Sequence, residues 1–132
     1  MTLMFQKEVA ERIVAAPGSK VYGRLAVIAQ WRTRARIAFS LEPDAFIPPP
    51  KVASAVVHFE PRDVCFPVCN VLTLGRVTAA AFGQRRKMLR QSLKPLYREP
   101  IVLLERLSLS PEQRAEELSP SDFARIAAAL DS

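Results

Sequence analysis

The residues with the most chemistry to offer lie in two short stretches. The first is Phe46-Ile47-Pro48-Pro49-Pro50-Lys51-Val52. Its prolines fix the backbone, so Phe46 and Lys51 are held at low entropic cost. An aromatic held at a strand end can stack on a base drawn out of a nucleic acid. The plainer alternative is a core plug followed by a proline turn. The second stretch runs from Phe82 to Lys94 and carries Arg85, Arg86, Lys87, Arg90 and Lys94 with no acid among them. Read as a helix, it places Arg86, Arg90 and Lys94 at i, i+4 and i+8, a cationic face suited to following phosphates. Gln84 and Gln91 add neutral donors. Such a helix could equally meet a membrane surface or a calmodulin-like partner. Against a membrane, its apolar side is needed for packing and has no Trp.

Other chemistries lack their residues. The glycines are Gly18, Gly23, Gly75 and Gly83, and no Gly-x-Gly occurs. A dinucleotide or S-adenosylmethionine site usually needs such a turn so that backbone can approach the ligand. There is no P-loop. The sole histidine, His58, falls in an expected strand without a nucleophile or carboxylate beside it in sequence. Cys65 and Cys69 are the only cysteines. A zinc site needs about four ligands, so no metal site is expected, and two reduced thiols of a cytosolic protein are the simpler reading. The clustered carboxylates of the C-terminal region read as caps and solvated faces.

Charge is unevenly distributed over the 132 residues, whose net charge is +6. Arg12 to Arg36 holds six Lys or Arg and no acid. Arg76 to Arg98 holds seven and no acid, whereas Glu99 onward has seven acids against three Arg. Unrelieved repulsion within a segment needs a reason, and a polyanion met by one face supplies one. With 49% hydrophobic residues a core can form. No apolar run approaches the roughly 20 residues that span a bilayer. Lys7, Glu8, Glu11 and Arg12 break up the N-terminal stretch, so no signal peptide is expected.

The elements that must position these residues follow from periodicity. Phe5, Val9 and Ile13 predict a helix over 3–15, closed by Pro17 and Gly18. A second helix is expected over 20–32, capped by Ser19, with Val21, Leu25 and Ile28 as its apolar stripe. Residues 35–41 alternate, with Ile37, Phe39 and Leu41 on one face, and 52–59 is a second strand. The short helix-free connection makes the two antiparallel neighbours. Helices are then expected over 70–82, 84–97 and 100–107, with capped starts at Ser110-Pro111 and Ser119-Pro120. The last of these packs Phe123, Ile126, Ala127 and Leu130. The implied organisation is an α/β portion over 1–61, a linker over 62–67 and a small all-α domain over 68–132. Two helices and two strands bury little surface alone. The first portion therefore reads as the end of a larger α/β domain.

Five stretches taken together resemble one family. They are Gln6-Lys7-Glu8-Val9-Ala10-x-Arg12, Pro17-Gly18-Ser19-Lys20-x-Tyr22-Gly23-Arg24-Leu25, and Phe46-x-Pro48-Pro49-Pro50-Lys51-Val52-x-Ser54-Ala55-Val56. Phe82-x-Gln84-Arg85-Arg86-Lys87-x-Leu89-Arg90-x-Ser92-Leu93 and Arg114-Ala115-Glu116-x-Leu118-Ser119 complete the set. In order and spacing the chain resembles the C-terminal part of the bacterial small-subunit rRNA adenine dimethyltransferases. Ala53 departs from the pattern, where the family usually has Asp.

The resemblance implies a Rossmann-like methyltransferase domain whose last helices and antiparallel strand pair fill 1–61, followed by a helical RNA-binding domain. It implies transfer of methyl groups from S-adenosylmethionine to N6 of adenines near the small-subunit rRNA 3′ end, in the cytoplasm. The family's glycine-rich loop, acidic ribose-binding residue and Asn-Leu-Pro-Tyr loop have no counterpart here. This chain alone is thus expected to bind no cofactor and to be inactive. Phe46, with Pro48, Pro49, Pro50 and Lys51, matches the motif that stacks on the target adenine. Arg85, Arg86, Lys87, Arg90 and Lys94 fall in or beside the basic motif. The expected partner is small-subunit rRNA or the immature small subunit, with an edge-strand dimer possible. The alternatives are a non-catalytic nucleic-acid-binding module and a ribosome-assembly factor.

Overall fold

The computed structural model describes residues 1–41, 53–63 and 67–131. The elements in chain order are β1 (Thr2–Gln6), α1 (Lys7–Ile13), α2 (Arg24–Arg32), β2 (Thr33–Leu41), β3 (Ser54–Pro61), α3 (Val71–Gly83), α4 (Leu89–Ser92), α5 (Pro100–Arg106) and α6 (Pro120–Asp131), with a 3-10 turn over Ala115–Glu117. None of the described helices is long and apolar enough to cross a membrane.

The strands form one antiparallel sheet in the order β1-β3-β2. The pairing of β2 with β3 is the one expected. β1 is a correction, because the helix expected over 3–15 begins as a strand, Thr2–Gln6. Cross-strand pairing decides the matter: Met4 lies opposite Val56 and Phe5 opposite Ala55, and the Phe5 and Phe59 rings meet edge-on at 6.1 Å. The Met1 amine donates to the Phe59 carbonyl at 3.0 Å, fixing the end of the ladder. A long-range partner overrides the i, i+4 pattern, and the helix starts only at Lys7.

β2 departs from simple alternation. A bulge between Ile37 and Phe39 leaves Ala38 outside the register. One extra residue reverses the facing of everything after it. Ile37 therefore packs toward the helices, while Phe39 shares the opposite face with Val56 and Met4. Phe39 is 54% exposed and Met4 57%. The expectation that Ile37, Phe39 and Leu41 share a face fails at this bulge.

Two apolar clusters hold the chain together. The smaller joins Ala10 and Ile13 of α1 to Ala55, Val57 and Phe59 of β3. The larger is built from α3 to α6 around Leu74, Leu89, Leu93, Leu104, Phe123 and Ile126. Tyr22, Ala26, Val27 and Trp31 also belong to the larger cluster, so α2 packs with the bundle as well as against the sheet portion. Gln30 of α2 donates to the Ile13 and Ala15 carbonyls, and Trp31 Nε1 donates to the Pro67 carbonyl at 2.9 Å.

The expected start of α2 is corrected too. It begins at Arg24 after an extended Gly23, not at Lys20. The Ser19 hydroxyl donates back to the Ala16 carbonyl rather than capping forward. Gly18 takes a left-handed φ of 87° and donates its N–H to the Glu116 carbonyl at 2.7 Å, a conformation that glycine adopts without a side-chain penalty. The turn delivers Tyr22 fully into the core. The buried stripe is Tyr22, Ala26, Val27 and Trp31, and the expected Val21 and Leu25 are exposed instead.

In the bundle, Asn70 caps α3 by accepting from Leu72 N–H at 2.8 Å. Ser119 and Asp122 cap α6 reciprocally, each backbone N–H bonding the other's side chain. The Ser110-Pro111 start does not become a helix. Pro111 and Gln113 carbonyls instead accept the first N–H groups of α4, those of Arg90 and Leu89.

Candidate nucleic-acid interface

The helix expected over 84–97 is the main local correction. Residues 84–87 form turns, only Leu89–Ser92 is helical, and turns follow to 96. Pro95 explains why the helix stops after Ser92, since it lacks an N–H and clashes with the carbonyl of a preceding helical turn. Leu89 and Leu93 still anchor the segment, both fully buried. Arg86, Arg90 and Lys94 therefore do not ride one continuous helix face. Arg86 and Lys87 lie on the turn after α3, Arg90 on α4, and Lys94 in the turn beyond it. All four are exposed, and none makes an ion pair with another described residue. Arg90, Gln91 and Lys94 border a shallow cleft of about 210 Å³ closed on one side by Ile101.

Arg85 stands apart from its neighbours. Its Nη2 donates to the Lys20 carbonyl at 3.0 Å and lies 3.6 Å from the Glu116 carboxylate. Its guanidinium carbon sits 5.7 Å from the centre of the Phe82 ring. Phe82 in turn packs on Tyr22 at 5.9 Å and Phe123 at 5.4 Å. Arg85 thus ties the 19–20 turn to the end of α3.

That tie brings two basic segments, distant in sequence, to one cleft. Arg12, Lys20 and Arg24 from the first and Arg85 from the second surround a cleft of about 370 Å³, with Phe82 as its wall. The run of six cations from Arg12 to Arg36 was visible in the sequence, but not which of them would face Arg85. Phe46, Pro48, Pro49, Pro50 and Lys51 lie outside the described residues, as does Cys65. His58 Nδ1 is within 3.2 Å of Thr2 Oγ1. No group of three potential metal ligands occurs among the described residues.

A sheet backed by helices on one face, sharing α2 with a bundle whose cations line one edge, is the architecture in which any identity must fit. The chain belongs to the ribosomal RNA adenine dimethylase family, whose model matches residues 1–132. It is 64% identical over 126 residues to the ribosomal RNA small subunit methyltransferase A of Mesorhizobium japonicum, covering 96% of this chain and 44% of that protein. It is 61% identical to the Xanthobacter autotrophicus protein of the same name, again over 96% of this chain and 44% of the relative. The chain thus spans less than half the length of these relatives. Among solved structures, a dimethyladenosine transferase from Plasmodium falciparum superposes with a TM-score of 0.83 at 26% identity, over 95% of this chain and 54% of that one. The 23S rRNA methyltransferase ErmE superposes with a TM-score of 0.66 at 19% identity, over 99% of this chain and 54% of its own, a likeness of fold.

Proposed function

We propose that this chain is the C-terminal part of an S-adenosylmethionine-dependent rRNA adenine N6,N6-dimethyltransferase, and that it supplies RNA binding and closure over the target base. In this reading 1–61 is the end of a Rossmann-like methyltransferase domain and 68–132 is the helical RNA-binding region, with α2 shared between them. The partner is small-subunit rRNA in the immature subunit, met in the cytoplasm. Phe46, with Pro48, Pro49, Pro50 and Lys51, stacks on the target adenine.

The observation that carries the proposal is the set of exposed cations Arg86, Lys87, Arg90 and Lys94, unopposed by any acid from Arg76 to Arg98, on a fold shared with a dimethyladenosine transferase. The described residues do not fit S-adenosylmethionine. The turn from β1 into α1 is Gln6-Lys7, without glycine, and the Lys7 N–H is already bonded to the Ala53 carbonyl at 2.9 Å. Glu8, the acid nearest that turn, pairs with Arg12 at 2.7 Å. These features support a cofactor site held by the family-length protein and not by these residues. The open edge of β1 is where another strand would add, that of the family-length protein or, for this chain alone, that of a second copy.

Calorimetry and filter binding test the proposal together. The chain is expected to retain a hairpin from the 3′ end of small-subunit rRNA and to give no saturable heat with S-adenosylmethionine. Failure to retain the RNA at low salt would sink the RNA-binding role, and one-to-one cofactor binding would sink the division of labour.

A further inference from the structure

We infer that the cleft between the 20–25 segment and the Phe82–Arg85 end of α3 is a subsite for one RNA phosphodiester, held by Lys20 and Arg24, and that Gly75 positions Arg24. The inference rests on the RNA-binding reading above and deepens it.

The cations around this cleft are not equivalent. Arg12 is taken by Glu8 at 2.7 Å. Arg85 is taken by the Lys20 carbonyl and by Glu116. Lys20 and Arg24 have no carboxylate partner among the described residues. They are the charges left for a ligand, while Arg85 and the Phe82 ring hold the wall behind them. The cleft, about 370 Å³, is far larger than the roughly 30 Å³ share of one water.

Two further features narrow the ligand. Val21 and Leu25 both border the cleft and are 42% and 45% exposed. An apolar rim beside two cations suits a phosphate that carries a sugar and base, rather than free inorganic phosphate. Their exposure is also why the expected stripe of α2 failed: these side chains face the cleft, not the core.

Gly75 supplies the second feature. It is buried on α3, and a Cβ there would lie 3.2 Å from Arg24 Nη2. The guanidinium lies against a buried position of α3 that has no side chain. A methyl group would displace the tip of a flexible side chain by a few tenths of an ångström and meet no backbone, so the fold should survive while the Arg24 guanidinium shifts.

The test measures the salt dependence of binding by the full 132-residue chain to the same rRNA hairpin. Arg24→Gln and Lys20→Gln should each reduce the log–log slope by part of one phosphate contact, and together by at most about 0.7–0.9. Gly75→Ala changes no charge and should still weaken binding, without lowering the melting temperature, since alanine is the better helix former. Combined with Arg24→Gln it should add nothing, because both act through one side chain. The subsite is wrong if these variants leave affinity and slope unchanged while Arg86→Gln/Arg90→Gln flattens the slope. It is also wrong if Gly75→Ala and Arg24→Gln add fully. If no variant at either place alters binding, the RNA-binding reading itself fails and takes the subsite with it.

Discussion

The hydroxyl of Tyr22 donates to the backbone carbonyl of Leu118 at 2.7 Å, across 96 positions of the chain. The tyrosine is fully buried, and its ring packs on Phe82. It thereby joins the segment before α2 to the turn that precedes α6. Gly18 makes a parallel link two residues earlier in that turn, to the Glu116 carbonyl. The cationic cleft is therefore framed by contacts distant in sequence.

Tyr22→Phe isolates that link. It keeps the ring and removes the donor, leaving a buried carbonyl without its partner. The expected loss is about 1–3 kcal/mol in denaturant unfolding. A loss near zero would mean that the carbonyl finds another donor.

Alkali should unfold the protein through its tyrosines. Burial first, and the Asp122 carboxylate second, raise the Tyr22 phenol well above its ordinary 10.0. Burial and then Asp131 do the same for Tyr97, with Arg76 opposing. The unfolded chain releases these protons near its ordinary value while the folded chain keeps them. The stabilisation is whole below about pH 10 and is lost as pH rises above it. Denaturation midpoints should fall as pH rises above about 10, and the fall should be shallower in Tyr22→Phe/Tyr97→Phe. Equal slopes in both proteins would assign the effect elsewhere.

Hydrogen exchange should group α2 with the bundle. Ala26, Val27 and Trp31 sit in the larger core with Leu74 and Phe123, whereas β1 is an edge strand, exposed along most of its length. Amides of Ile28 to Trp31 should exchange with those of α3 and α6, and amides of β1 much faster. If α2 exchanges at the rate of β1 instead, the shared packing does not persist in solution.

Much of the fold was legible because its signals are local. Asn70 before α3, Pro100 at the first turn of α5 and Ser119 with Asp122 before α6 cap their own helices, so a short window suffices. The valines of 52–59 and their short connection to 35–41 give the antiparallel pair. The rest depends on distant partners. β1 is a strand because β3 lies beside it, and Tyr22 rather than Val21 is buried because Leu118 and Phe82 receive it. The bulge at Ala38 leaves no compositional mark. Pro95 was a local warning against a helix over 84–97, outweighed there by the spacing of Leu89, Leu93 and Leu96. For the candidate interface, residue types showed which cations stand unopposed. They did not show that Arg85 is bound internally, or that Lys20 and Arg24 border the cleft it closes.

The most direct test of RNA contact by the 85–94 segment is the salt dependence of rRNA hairpin binding by Arg86→Gln/Arg90→Gln, set against a charge-matched control in the acidic C-terminal region, Arg106→Gln/Arg114→Gln. All four arginines are exposed, so folding should change little, by under about 0.5 kcal/mol each. Loss of two phosphate contacts should flatten the log–log slope by roughly one to two units in the first variant and much less in the control. Equal weakening in both would mean diffuse attraction to net charge and would contradict a defined RNA-contacting edge at Arg86, Lys87, Arg90 and Lys94.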